Sequence, residues 1–340
     1  DGGLIEKYKL EKSEYPEIVN KIKILSNLDI TEKRRPQDGR ISYPDFDVRV
    51  SILPTLYGEK IVLRILGNDA SNIDISALGM DEKDRFNYLE GIKKPNGILL
   101  ISGPTGSGKT TTLYATLKIL NEEKRNVVTV EDPIEYTLEG INQVQVKESI
   151  GLSFASALRS FLRQDPDIIM LGEIRDSETA KMAVKAALTG HLVLSTIHTN
   201  SAWDTVSRLI DMGVEPFLLA STLNTSVAQR LVKKLCNNCK EETNLEIQDL
   251  PPGFKNEKEL KKYYRPVGCS ECYYTGYKGR RALYEIIPID HDLSEKIKSK
   301  ELRVDTILKE KGVRKLSEQA YNLLSEGVTS LEDVYSLLSE

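Results

Sequence analysis

The sequence is poor in cysteine, histidine and tryptophan, with four, three and one among 340 residues. So few cysteines exclude a disulfide-stapled secreted scaffold. No apolar run approaches the ~18 residues that a membrane-spanning helix needs, and no leader with a basic start and an apolar core opens the chain. Charge of one sign is lacking too. The formal net charge is −4, which removes the basic footprint expected of a general DNA or RNA binder. Internal repeats and low-complexity tracts are absent. What remains is an ordinary soluble composition, 40% hydrophobic and 29% charged, at a length that suggests roughly two domains. These traits place the chain in the cytosol. It opens on Asp1 rather than Met, which reads as a fragment or a trimmed chain.

Against that plain background one stretch stands out. Residues 103–111 read Gly103-Pro104-Thr105-Gly106-Ser107-Gly108-Lys109-Thr110-Thr111, a complete match to the phosphate-binding pattern G-x-x-x-x-G-K-[ST]. The glycines let the backbone curl so that successive N–H groups face a polyphosphate. Lys109 would set a positive charge against the outer phosphates, and the Thr110 hydroxyl would meet Mg²⁺. The apolar run Gly97–Ser102 reads as the strand before the loop. Thr111–Leu120 reads as the helix after it, whose N-terminal dipole points at the anion. The plain alternative is a solvated glycine-rich turn, and the strand and helix on either side argue against it.

All four cysteines fall in two C-x₂-C pairs, Cys236/Cys239 and Cys269/Cys272. In a reducing compartment this favours a closed tetrahedral zinc site over disulfides. The 29 residues between the pairs exceed the usual ribbon spacing of roughly 15–20. The excess must loop out, and Pro251-Pro252-Gly253 supplies a break. Four reduced thiols or a redox pair are the alternatives. A four-thiolate site has no open position for chemistry, so its expected role is scaffolding.

The remaining pattern is coarse but ordered. Tyr15–Ser26 reads as helix, and Phe46–Leu53 and Lys60–Leu66 read as strands. Gly67–Asn72 is a polar, turn-forming cluster, read as part of a linker over 67–75. Beyond it, the apolar runs Gly97–Ser102, Val127–Val130, Ile168–Leu171 and Leu192–Ile197 alternate with helical patterns. This predicts a parallel sheet whose ligand lies at the carboxyl ends of the strands. Acids sit at two of those ends: Glu131 opens Glu-Asp-Pro-x-Glu135 after one run, and Glu173 follows Gly172 after another. Carboxylates there can orient Mg²⁺ or a water, and the residues alone do not separate the two. Gly190–Asn200 carries His191 and His198. At a strand end His198 could sense a terminal phosphate or be purely structural. Gly312 and Gly327 break a helical tail, and Thr329-x-x-Glu332 reads as a capping box before its last helix.

Taken in order, these segments resemble the hexameric ATPases of type II secretion and type IV pilus assembly. The matching stretches are the loop at 103–111, an Asp box over Val130–Tyr136, a Walker B region over Leu162–Arg175 and a His box over Gly190–Asn200. The tetracysteine segment matches as well, as do Arg35–Arg40 and Val48–Ser51 upstream. The Gly172-Glu173 pair, in place of Asp-Glu, is ordinary for that family. The resemblance covers essentially the whole chain.

It implies an α/β fold in which a RecA-like P-loop ATPase domain (76–340) follows a partial PAS-like α+β domain (1–66). Within the larger domain it places a zinc subdomain at 234–275 and C-terminal helices at 290–340. It implies ATP, Mg²⁺ and Zn²⁺ as cofactors and six copies in a ring. Glu131 or Glu173 would activate water, His198 would read the γ-phosphate, and Arg40 and Arg49 would reach the phosphates from the first domain. Arg159 and Arg163, read as four apart on the helix before Walker B, are further candidates for stabilising phosphate charge. The implied partners are an inner-membrane platform protein and cytoplasmic assembly proteins, with membrane association only through them. The resemblance leads one to expect that an upstream docking domain of long members is not part of this stretch and that the first domain is truncated at its start. Type II secretion is favoured over pilus extension by the look of Met212–Phe217. Retraction motors are disfavoured because they typically lack the tetracysteine segment, and a DNA-pumping ring is disfavoured by the net charge.

Overall fold

Alternation of apolar and polar residues over Phe46–Thr55 makes a strand with one buried face, and its neighbours complete a small sheet. The structure, a computed structural model, describes residues 6–44, 46–67, 74–245, 249–252, 260 and 262–339. Most of the expected linker and Gly253 lie outside them. The chain divides into two compact units, Gly2–Asn72 with Ile134–Leu138, and Ile73–Pro133 with Glu139–Glu340.

In the smaller unit, α1 (Tyr15–Leu25) starts at a proline in its first turn, where the missing N–H costs nothing. Three antiparallel strands follow in sequential order: β1 (Gln37–Ser42), β2 (Phe46–Thr55) and β3 (Gly58–Gly67). Ile41, Val48, Val50 and Ile52 form its core with Ile22 and Leu28. The other face carries a row of like charges. Arg49 stands directly opposite Arg40 on one side and Arg64 on the other. Like charges in directly opposed positions are destabilising, and Arg40 is relieved by an ion pair with Asp47.

The larger unit opens with α2 (Glu82–Ile92), β4 (Gly97–Ser102), α3 (Lys109–Leu120), β5 (Val127–Glu131) and β6 (Asn142–Gln145). Then come α4 (Phe154–Phe161), β7 (Ile168–Leu171), α5 (Ser177–Leu188), β8 (Leu192–Ile197), α6 (Asp204–Asp211), α7 (Pro216–Thr222) and β9 (Leu223–Leu235). Every residue of β4, β5, β7 and β8 is buried, as expected for parallel strands covered on both faces. The sheet has seven strands in the order β12-β9-β4-β8-β7-β5-β6, where β12 is Tyr277–Pro288. All its pairings are parallel except that of β12 with β9. Three of these strands, β6, β9 and β12, were not anticipated. The strand β9 follows α7 with no turn residue between them, and it is rich in polar side chains.

A separate pair, β10 (Glu241–Asn244) and β11 (Lys262–Arg265), lies between the cysteine pairs in sequence. The tail forms α8 (His291–Lys298), α9 (Asp305–Glu310), α10 (Leu316–Ser325) and α11 (Leu331–Leu338). Gly312 and Gly327 do end helices, both at left-handed φ. The cap of α11 is one residue later than expected: Ser330, not Thr329, accepts the N–H of Asp333. No helix among the described residues is long and apolar enough to cross a membrane.

Candidate functional site

The carboxyl ends of β4, β5, β7 and β8 lie along one edge of the sheet. Three glycines bend the loop that leaves β4: Gly103, Gly106 and Gly108 have φ of 146°, 82° and 88°, which L side chains rarely adopt. At Gly103 space is also decisive, since a Cβ would lie 2.4 Å from the Gln229 carbonyl oxygen. Gly108 caps α3 without offering any side-chain bond, so the first-turn N–H groups stay available to an anion. Pro104, Thr105, Gly106 and Thr110 are exposed, and Thr111 is half-buried. Ser107 is buried, and its hydroxyl has no hydrogen-bond partner among the described residues.

Lys109 is buried, and its ammonium donates to the Gly103 carbonyl at 2.8 Å and the Pro104 carbonyl at 3.0 Å. Burial pulls its pKa below the usual lysine range. Glu173 opposes that effect and Arg230 adds to it. The lysine is thus folded onto its own loop, with a carboxylate and a guanidinium close enough to be felt.

The two acids are in different situations. Glu131 is 3% exposed and is held by three donors: the Thr129 hydroxyl at 2.6 Å, the Gln143 amide at 3.1 Å and the Tyr114 hydroxyl from α3. Glu173, just past β7, is less enclosed, with its side chain 15% exposed. One oxygen pairs with Arg175, and the other lies 3.4 Å from Nε2 of His198. The ends of β7 and β8 are pinned by the Thr196 hydroxyl, which donates to the Gly172 carbonyl at 2.7 Å. The structure therefore brings Lys109, Glu173 and His198 together and sets Glu131 apart, locked beneath α3.

Of the expected arginines, Arg159 and Arg163 are each engaged by a partner on their own unit. Arg159 pairs with Glu178, and Arg163 donates to the Arg159 carbonyl at 2.8 Å. The two do not share a helix as expected: α4 ends at Phe161, and Arg163 lies in the following turn. Two residues that sequence reading missed do touch the loop. Adjacent strand residues point to opposite faces. Gln229 on β9 accepts the Thr112 hydroxyl at 2.9 Å beneath the loop, while Arg230 reaches the Asn200 carbonyl at 2.7 Å. The signal available was a polar Gln-Arg pair inside the apolar run Val227–Val232. Arg64 was missed for another reason, because only strand register reveals its place beside Arg49.

The four cysteines, in contrast, meet as expected. Their sulfurs all lie within 4.8 Å of one another, with Cys236–Cys269 at 3.9 Å and Cys239–Cys272 and Cys269–Cys272 at 3.8 Å. A tetrahedron with Zn–S bonds of ~2.3 Å has edges of about 3.8 Å. Backbone N–H groups of Gly268, Cys269 and Gly276 point at the sulfurs of Cys239 and Cys272. Burial pushes the Cys272 thiol up, but the two amides and the neighbouring thiols bring it down to about 6. The donor set fits a soft divalent metal.

Residues 1–336 match the family model described as "Type II/IV secretion system protein". The chain belongs to that family. Its members are ATP-hydrolysing enzymes, and this chain is one by kind. It is 46% identical over 346 residues to the type II secretion system protein E of Pseudomonas aeruginosa, covering 100% of this chain and 69% of that protein. It is 45% identical to the type II secretion system ATPase E of Vibrio cholerae, covering 95% of this chain and 65% of that protein. For the type IV pilus assembly ATPase PilB of Myxococcus xanthus the identity is 47%, covering 93% of this chain and 58% of that protein. The chain therefore spans between 58% and 69% of these relatives. Among solved structures, the ADP-bound pilus retraction motor PilT aligns with a TM-score of 0.67 at 28% identity, covering 89% of this chain and 77% of that one. The Legionella pneumophila ATPase DotB aligns at 0.70 with 22% identity, covering 98% of this chain and 85% of that one, a likeness of fold. The α/β reading with a parallel sheet agrees with both.

Proposed function

We propose that this chain is the motor core of a hexameric, cytoplasmic ATPase that powers pseudopilus assembly for type II protein secretion. The observation that carries the reading is the phosphate loop with Lys109 beside Glu173 and His198, in a chain of this family. ATP with Mg²⁺ would sit on residues 103–111. Thr110, exposed on the first turn of α3, would hold the metal, which supplies charge neutralisation at the phosphates. Glu173 would take the proton of the attacking water, since its carboxylate is the more exposed of the two and its partners Arg175 and His198 are themselves exposed, whereas Glu131 is enclosed by buried donors. Glu131 would then brace α3 through Tyr114. His198 would orient Glu173 and read the terminal phosphate. Arg40 and Arg49, on the arginine row of the smaller unit, would serve phosphate charge, as would Arg159 and Arg163 once released from their present partners. The smaller unit would correspond to the PAS-like domain and the larger to the RecA-like one. An inner-membrane platform protein and cytoplasmic assembly proteins would be its partners, with no nucleic acid involved.

A second reading, pilus extension, is favoured equally by the PilB relatives at 47% identity. Deleting the gene in its host separates the two. Loss of secreted enzymes with surface pili intact is expected; lost pili with normal secretion would move the assignment to the second machine.

The tetracysteine site would hold zinc as a scaffold, tying the start of the β10–β11 excursion to its end. Metal analysis of the purified chain should find about one zinc per chain, and chelation should lower its melting temperature. A folded chain with no metal and an unchanged melting temperature after chelation would end this part of the account.

A further inference from the structure

Arg230 occupies an unusual position for a charged side chain. It is 8% exposed, yet no carboxylate among the described residues pairs with it. Its two hydrogen bonds go to backbone carbonyls, Gln229 at 3.2 Å and Asn200 at 2.7 Å. Asp333 lines the same cavity but is committed to the backbone N–H of Lys233 at 2.6 Å and to the Lys233 ammonium. The cavity, about 420 Å³, is bounded by Gly103 and Pro104 of the phosphate loop, by His198–Asn200 after β8 and by α11. Arg230 lines it from β9. A Cβ built on Gly103 would lie 3.2 Å from its Nη1, so the guanidinium lies against the root of the loop. Lys109 meets the same two loop residues through their carbonyls.

A buried guanidinium needs a partner anion, because two neutral carbonyls do not cancel its charge. A guanidinium also has five N–H donors in a planar fork, so bonds to two carbonyls leave donors free. Lys109 has Glu173 nearby to offset its charge; among the described residues no acid pairs with Arg230, and Asp333 in the same cavity is taken up by Lys233. Two cations converging on one loop repel each other until an anion arrives between them.

We propose that Arg230 is a terminal-phosphate ligand, supplied from β9 of the same unit as the phosphate loop. It rests on the reading of residues 103–111 as the nucleotide site. With nucleotide bound, the guanidinium keeps the Asn200 carbonyl and turns its free N–H groups to the outermost phosphate oxygens. It then distinguishes a triphosphate from a diphosphate, and it couples that difference to the His198–Asn200 segment through the bond to Asn200.

The test is calorimetric binding of AMP-PNP and of ADP, each with Mg²⁺, to the full chain and to Arg230→Gln. The substitution should leave ADP affinity within about twofold and weaken AMP-PNP by about tenfold or more, the size of one lost charge-assisted hydrogen bond. Arg230→Lys keeps the charge with a single-point donor and should fall in between; it also serves if the glutamine variant does not fold. Equal losses for both nucleotides would mean that Arg230 only holds the Asn200 segment, and no loss for either, or a parental ratio in Arg230→Lys, would equally overturn the assignment. An unsubstituted chain that bound neither nucleotide would instead overturn the nucleotide-site reading itself.

Discussion

Replacing Lys109 by alanine is expected to lower ATP turnover by at least about a hundredfold, the scale of losing one preorganised charge at the reacting phosphates. The ammonium is already at the loop, held at 2.8 and 3.0 Å by carbonyls of Gly103 and Pro104. Moving it to a phosphate exchanges those carbonyls for an anion without a large change of place. Its burial makes the charge effective, since a buried cation is screened less than an exposed one. Alanine removes the charge and leaves a buried gap at the loop's root, so nucleotide affinity should fall as well. Phosphate release by the variant, beside a melting curve showing that it is folded, reads both effects. Undiminished release would remove Lys109 from the catalytic account.

The second large effect is at Glu173. Glu173→Gln keeps the shape and removes the base, so hydrolysis should fall by about a hundredfold to ten-thousandfold, the usual range for a positioned general base. ATP affinity should be retained or increased, because the carboxylate repels the terminal phosphate. Glu131→Gln is the informative comparison. That carboxylate accepts from Tyr114, Thr129 and Gln143 in a buried site. Loss of the charge should therefore cost stability, commonly by about 1–3 kcal/mol for one disturbed buried hydrogen-bonded group. Hydrolysis lost equally in both variants, at unchanged melting temperature, would return the base assignment to both acids.

The parts legible in the sequence were those whose chemistry is local. β4, β7 and β8 are continuous apolar runs because both their faces are covered, and their bounds could be read directly. The phosphate loop and the cysteine pairs are short patterns in which each residue type has a stated physical reason. What stayed hidden depends on neighbours distant in the chain. β9 brings Gln229 and Arg230 beneath and beside the loop, yet nothing local marks its start after α7, and Gln and Arg are poor signals of a buried strand. Arg64 joins the row of Arg40 and Arg49 only through the register of three strands. The difference between Glu131 and Glu173 is likewise tertiary: the first is closed off by a tyrosine on α3, the second meets a histidine just past β8. The cap expected at Thr329 falls one residue later because the Ser330 hydroxyl accepts the Asp333 N–H, while the Asp333 carboxylate goes to Lys233 rather than back to the cap.

The central claim is that the loop at 103–111 and Glu173 form one hydrolytic site. It is tested most directly by phosphate release from ATP by the purified chain, with and without Mg²⁺, beside the Glu173→Gln variant holding radiolabelled ATP. The account predicts slow, Mg²⁺-dependent release by the parent, and a variant that retains unhydrolysed ATP. Release by the variant at the parental rate, or a folded parent that neither binds nor hydrolyses ATP, would contradict it.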